Sequence, residues 1–257
     1  MIVTSFLEYL TFERNYSKHT VIAYKNDINS FYEFCVNEFD LDSLVEVNYS
    51  QIRSWIVLLV DAGISNNSIN RKISSLKSFY KFLQKTQQVA QSPLVKHKAL
   101  KVAKKVQIPF TVKEINKVIE ALGIEKDFSS LRNRLIVELF YSTGMRRAEL
   151  IGLKVGSVHM EAQTLKVLGK RNKERLLPLI PSVLDTVRKY LVVREGLRFE
   201  TDYLLVTEKG NKIYETLVYR VINSYFSKVS TKVKKSPHIL RHSFATHLLN
   251  QGADLNS

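Results

Sequence analysis

Apolar side chains recur every three or four residues over most of this chain. In TVIAYKNDINSFYEFCV they fall at Val21, Tyr24, Ile28, Phe31, Tyr32 and Cys35, the period of a helix with one buried face. A second helix starts near Tyr49 and Ser50, runs through QIRSWIVLLVDAG and ends at Gly63, a residue suited to a helix C-terminus. In SNNSINRKISSLKSFYKFLQK, Ile69, Ile73, Leu76, Tyr80 and Leu83 form the apolar stripe. Arg71, Lys72, Lys77, Lys81 and Lys85 lie off it, which predicts an amphipathic helix with a basic outer face.

Residues 89–109 lose this period. They hold Pro93, Pro109 and five lysines, and read as a basic linker between a helical domain (1–88) and a second domain (110–257). Thr111 and Glu114 then form a capping-box pair at the start of a helix. Another helix covers Ser129 to Tyr141 and stops at Thr143 and Gly144. TLKVLGKRNKERLLPL changes to alternation, breaks at 169–173 and alternates again to Pro178, which predicts a β-hairpin with a basic tip. SVLDTVRKYLVVREGL reads as helix, DYLLVT as a short strand and TLVYRVINSYFSKV as helix. Ser236 followed by Pro237 caps a last helix. The expected fold is mainly α, with an α+β second domain built around a small sheet or hairpin.

Composition changes this picture little, and charge changes it more. No apolar run approaches the roughly 18 residues of a membrane span, and no signal peptide is visible. One cysteine, Cys35, allows neither an internal disulfide nor a thiolate metal cluster, so a cytoplasmic protein is expected. The net charge is +15, unevenly spread. Residues 1–90 balance nine bases against nine acids, whereas between Asp61 and Glu114 there are eleven Lys/Arg and no carboxylate. A solvated helix usually alternates its signs. An uninterrupted run of cations points to a polyanion such as double-stranded DNA, and nothing nearby supplies a lipid anchor. Arg71, Lys72, Lys77 and Lys81, with Arg171 and Lys173 of the hairpin tip, are the candidate DNA contacts.

Four residues stand out for chemistry. Arg146 follows the glycine of STGMRRAEL, Lys170 lies in the tip GKRNK, and His238 and Arg241 share one helix face. Taken singly, each is an ordinary surface residue. Together, two guanidiniums can grip the non-bridging oxygens of a phosphodiester, where charge sits during phosphoryl transfer. A lysine can protonate a departing oxygen, and a histidine can donate to the phosphate or move a proton. His238 and His242 lack the glutamate of a zinc-binding HEXXH motif, so neither metal nor other cofactor is expected.

YSTGMRRAEL, GKRNKERLLPL and PHILRHSFATHLLNQGADL resemble, in order, the signature segments of the tyrosine recombinases, specifically the XerC/XerD-like bacterial integrases. YSKHTVIAYKNDINSFYEF resembles the opening of their helical core-binding (SAM-like) domain. The resemblance spans nearly the whole chain. It implies that Arg146 is the first catalytic arginine, Glu149 its acidic support, Lys170 the general acid, and His238 and Arg241 the His-x-x-Arg pair. It implies a two-domain clamp on duplex DNA, strand cleavage through a 3′-phosphotyrosyl bond without metal or ATP, and tetramers of protomers on two duplexes.

Three features depart from the family pattern. Ala148 stands where serine is common. Arg171 replaces the usual hairpin glycine, leaving Asn172 to take the positive φ of the turn. The family's further His or Trp and its nucleophilic tyrosine are expected beyond Ser257, so the catalytic domain is expected to be C-terminally incomplete, the chain monomeric in solution and inactive for cleavage. Tyr141, Tyr203, Tyr214, Tyr219 and Tyr225 read as core or interface residues rather than as substitutes. A non-enzymatic DNA-binding protein with a recombinase-derived clamp is the alternative. A type IB topoisomerase-like enzyme fits the chain length and the leading helical domain less well.

Overall fold

The computed structural model describes residues 2–103, 107–123, 127–169 and 173–252. The chain divides into two compact units, residues 1–105 and 106–257. The first is all helical. Helix α1 (Ile2–Glu8) runs directly into a π-turn (Tyr9–Glu13), followed by α2 (Lys18–Phe39), α3 (Tyr49–Asp61) and α4 (Asn66–Lys85). Each of the last three starts on a polar cap: Ser17, Asn48 paired with Gln51, and Ser65. These side chains accept N–H groups that the first helical turn leaves unpaired. Helix α3 ends at Ala62, and Gly63 takes φ +74 just after it.

The core of this unit is aromatic. Phe6, Phe31, Trp55, Phe79 and Tyr80 are all fully buried, with the Phe31 and Trp55 rings 5.0 Å apart. Each such ring contributes roughly 1.5–3 kcal/mol by leaving water. Tyr80 keeps its hydroxyl satisfied by donating to the Leu44 carbonyl at 2.9 Å. Cys35 is buried, and burial pushes its thiol up to about 11, so it packs as an apolar residue. Tyr32 departs from the expected stripe of α2: it is exposed, and Phe34 turns inward instead to pack on Phe31. Residues 100 and 101 are held on α4. The Asn70 amide pairs with both backbone groups of Leu100 at 2.9 Å, and Asn66 donates to the Lys101 carbonyl at 2.8 Å.

The second unit combines helices with a small sheet. Its elements are α5 (Val112–Leu122), α6 (Phe128–Thr143), α7 (Arg147–Ile151), β1 (Val158–His159), β2 (Thr164–Leu168), β3 (Glu174–Pro178), α8 (Pro181–Gly196), α9 (Glu215–Ser227) and α10 (Pro237–Asn250). The sheet is antiparallel in the order β1-β2-β3. The hairpin pairs Thr164 with Pro178 through Leu168 with Glu174, and Gly169 N–H closes it on the Lys173 carbonyl at 2.7 Å. The capping box at Thr111 and Glu114 is present, and Lys232 reaches the same carboxylate at 2.6 Å.

The expected strand DYLLVT does not form. Its two ends pair with different partners, Tyr203 with Lys154 and Val206 with Lys212, as isolated bridges. A ladder cannot propagate when the partner changes within four residues. Leu204, Leu205 and Val206 are all buried, without the alternation of a two-faced strand. No described helix is long and apolar enough to cross a membrane.

Candidate active site

The site forms where α6 ends. Gly144 stops α6 with φ +58, a left-handed conformation that costs an L-residue roughly 1–2 kcal/mol. A Cβ at Gly144 would also overlap the ring of Phe244, which α10 lays against the turn. Glycine therefore meets two demands here, backbone angle and close approach. The freed Gly144 carbonyl accepts a hydrogen bond from Nη1 of Arg241, one turn before Phe244 on the same face of α10. Arg241 is partly buried. Burial first, and then the adjacent charge of Arg146, lower its proton affinity. An arginine stays cationic under such pressure.

Arg146 follows two residues after Gly144, at the N-cap of α7. Its backbone N–H donates to Oε2 of Glu149 at 2.6 Å, and its Nη1 donates to Oε1 at 2.9 Å. The side chain of Glu149 is only 4% exposed. From β3, Arg175 donates to the same two oxygens at 2.9 and 2.8 Å. Burial of the carboxyl raises its proton affinity, but the bonds from Arg175 and from both groups of Arg146 outweigh it and hold the group at about 2. One buried carboxylate thus holds two guanidiniums. The Arg146 side chain remains 56% exposed, and among the described residues nothing else bonds to it. Its remaining donors are open to an anion.

Of the sequence-predicted set, Arg146, Glu149 and Arg241 come together. His238 lies in the first turn of α10, one turn before Arg241, and is exposed. Lys170 falls outside the described residues, as do Arg171 and Asn172. Gly169, next to Lys170, passes close to the cluster: a Cβ there would lie 3.7 Å from Oε1 of Glu149. Lys173, the other end of the tip, is exposed. Arg175 was missed. The available signal was its place on the same side of β3 as Leu177, the half-buried side of the strand. A cation on that side needs a partner. Among the described residues no group of three or more His, Cys, Asp or Glu is placed to hold a metal ion.

The basic face of α4 differs from the expectation at Lys72. Lys77 and Lys81 are exposed, as expected. Arg71 and Lys72 are not free cations: both bond to Asp27 of α2, and the Lys72 side chain is only 20% exposed, over the ring of Trp55. Lys72 is on the edge of the core rather than on the outer face. The tyrosines differ among themselves. Tyr214 and Tyr219 are exposed, while Tyr141, Tyr203 and Tyr225 are half-buried.

The family model described as the phage integrase family matches residues 82–257, and the phage integrase N-terminal SAM-like domain matches residues 3–87. This chain belongs to the phage integrase family, the tyrosine recombinases. Among its relatives is the tyrosine recombinase XerC of Chlorobaculum parvum, 36% identical, with 98% of this chain and 83% of the relative covered. The XerC of Anoxybacillus flavithermus is 33% identical, with 98% and 85% covered. The crystal structure of XerA recombinase is 26% identical with a TM-score of 0.54, covering 99% of this chain and 86% of that one. XerH site-specific recombinase bound to a palindromic difH substrate superposes with a TM-score of 0.76 over 99% of this chain and 75% of that one. At 21% identity, that likeness shows the integrase fold alone. Membership makes the chain a tyrosine site-specific recombinase with a helical SAM-like unit followed by a mixed catalytic unit.

Proposed function

We propose that this integrase binds duplex DNA with both of its units and that Arg146 and Arg241 hold the scissile phosphate during strand transfer. The observation that carries this reading is the Glu149 node. A buried carboxylate fixes Arg146 while Arg175 satisfies both of its oxygens, so part of the Arg146 fork is left for a phosphate. Arg241 is anchored separately on the Gly144 carbonyl. Two anchored guanidiniums need little reorganisation when charge develops on the non-bridging oxygens. The known solved relatives include recombinases and an integrase in complex with DNA, which supports the same partner here.

In the proposed reaction, the phenol oxygen of a tyrosine attacks phosphorus and loses its proton. The P–O bond to tyrosine forms and the P–O5′ bond breaks, with Lys170 delivering a proton to the departing 5′ oxygen. His238 donates to the phosphate or carries the phenol proton. The phosphotyrosyl bond conserves the energy of the broken diester, so a 5′ hydroxyl of a partner strand can reverse the step. Protomers pair on two duplexes to exchange strands.

The nucleophile is proposed to come from outside residues 1–257. Tyr141 is engaged with Nδ1 of His247 at 3.0 Å, Tyr203 lies under Lys212, and Tyr214 accepts from Arg220 at 2.7 Å. Among the described residues no tyrosine bonds to Arg146, Glu149, Arg175 or Arg241. The test is a labelled duplex incubated with the 257-residue chain and divided between native and denaturing gels. A complex on the native gel alone is expected. A protein–DNA band that survives denaturation would place a nucleophile within these residues.

A further inference from the structure

Asp27 is a carboxylate in the interior of a helical unit, with only 2% of its side chain exposed. Burying a lone carboxylate is costly, and this one is heavily compensated. Nη1 and Nη2 of Arg71 donate to its two oxygens at 2.5 and 2.9 Å, Ser75 Oγ donates at 2.8 Å and Lys72 Nζ at 3.3 Å. Two of these four donors have little choice: Ser75 is buried, and Lys72 is pinned over Trp55. Arg71 is different. Its side chain is 53% exposed, and the two-pronged bond uses only part of its five-donor fork.

What lies beside Arg71 gives the arrangement a use. Arg71, Ser74, Ser78 and Lys81 follow at steps of three and four along α4 and share a ridge. Lys77 is exposed on the neighbouring row. The side chains of Asn66 and Asn70 hold residues 100 and 101 against the same helix, which keeps Lys101 close by. The result is a cationic strip in which the one arginine is held by a buried carboxylate.

We propose that Asp27 is a positioning residue that orients Arg71 toward a DNA phosphate. The inference rests on the DNA-binding reading above. A free arginine loses rotamer entropy on being fixed. An arginine already held on Asp27 pays most of that loss on folding, so its remaining N–H groups meet the phosphate pre-aimed. Arg71, Lys72 and Asp27 together still carry one net positive charge, so attraction to the polyanion is retained.

Positioning and simple electrostatics predict opposite signs. Asp27→Asn raises the net charge by one, and charge alone would tighten DNA binding. Positioning predicts weaker binding. The test is fluorescence anisotropy with a labelled 30-base-pair duplex at fixed low salt, for the 257-residue chain and four variants. Arg71→Ala is expected to weaken binding about tenfold, the scale of one charge-assisted contact. Asp27→Asn is expected to weaken it several-fold, and Asp27→Asn with Arg71→Ala no more than Arg71→Ala alone, because the carboxylate acts through the arginine. Arg71→Lys guards against a folding defect at Asp27. It keeps the charge at a half-exposed position but cannot make the two-pronged bond, and is expected to bind nearly as weakly as Arg71→Ala. Unchanged or tighter binding by Asp27→Asn, additive losses in the double variant, or wild-type affinity in Arg71→Lys would each overturn the proposal. A wild-type chain with no affinity for duplex DNA would overturn the underlying reading instead.

Discussion

Raising the salt from roughly 50 to roughly 200 mM is expected to weaken duplex DNA binding by about a thousandfold to a hundred-thousandfold if six to ten phosphates are contacted. Each phosphate neutralised by Lys or Arg releases condensed counterions, and each contributes about 0.9 to the slope of log affinity against log salt. The chain supplies the cations in a concentrated form. Eleven Lys/Arg and no acid lie between Asp61 and Glu114, and the whole chain carries +15. Lys77 and Lys81 are exposed on α4, and the Glu149 node presents Arg146 from the second unit. Anisotropy titrations at four or five salt concentrations measure the slope. A slope near zero would mean that the basic surface is not where DNA binds.

Glu149→Gln is expected to destabilise the second unit by about 2–3 kcal/mol. Removing one partner of a fully buried ion pair costs about 3–5 kcal/mol, because the other charge is left unpaired. Here the guanidiniums of Arg146 and Arg175 are 56% and 37% exposed, so water recovers part of the loss. The pH dependence follows from the same carboxylate. Its folded value of about 2 lies below the ordinary 4.5. Its contribution is therefore complete above about pH 4.5 and is lost as pH falls toward 2. Glu114, held at about 2 by Lys232, Ser230 and Thr111 against the opposing effect of burial, adds acid sensitivity in the same window. Urea unfolding from neutral pH down to about 3 should show the wild type losing stability below 4.5. Glu149→Gln should start lower and fall less steeply. Equal stability of the two proteins at neutral pH would remove Glu149 from its central place.

The helices were legible because their apolar period and their caps agree. Thr111 with Glu114, and Ser236 with Pro237, mark true helix starts. The β2–β3 hairpin was legible because the alternation reverses about Gly169, which closes the turn. Other features were hidden for physical reasons. DYLLVT has the composition of a strand, but pairing depends on a partner that no local pattern reveals. Asp27 reads as an ordinary surface acid because its partners, Arg71, Lys72 and Ser75, lie more than forty residues away. Arg146, Glu149 and Arg241 were readable from motif resemblance. Arg175 was not, since its role depends on a carboxylate on another element.

The most direct test of the phosphate-holding pair is the double variant Arg146→Ala, Arg241→Ala in the same anisotropy assay. A melting curve first confirms that the variant is folded, and Arg175 still satisfies Glu149 in it. If both guanidiniums grip the DNA backbone, affinity falls by about one to two orders of magnitude and the salt slope becomes shallower by about 1 to 2. A folded double variant with the wild-type affinity and an unchanged slope would contradict the account.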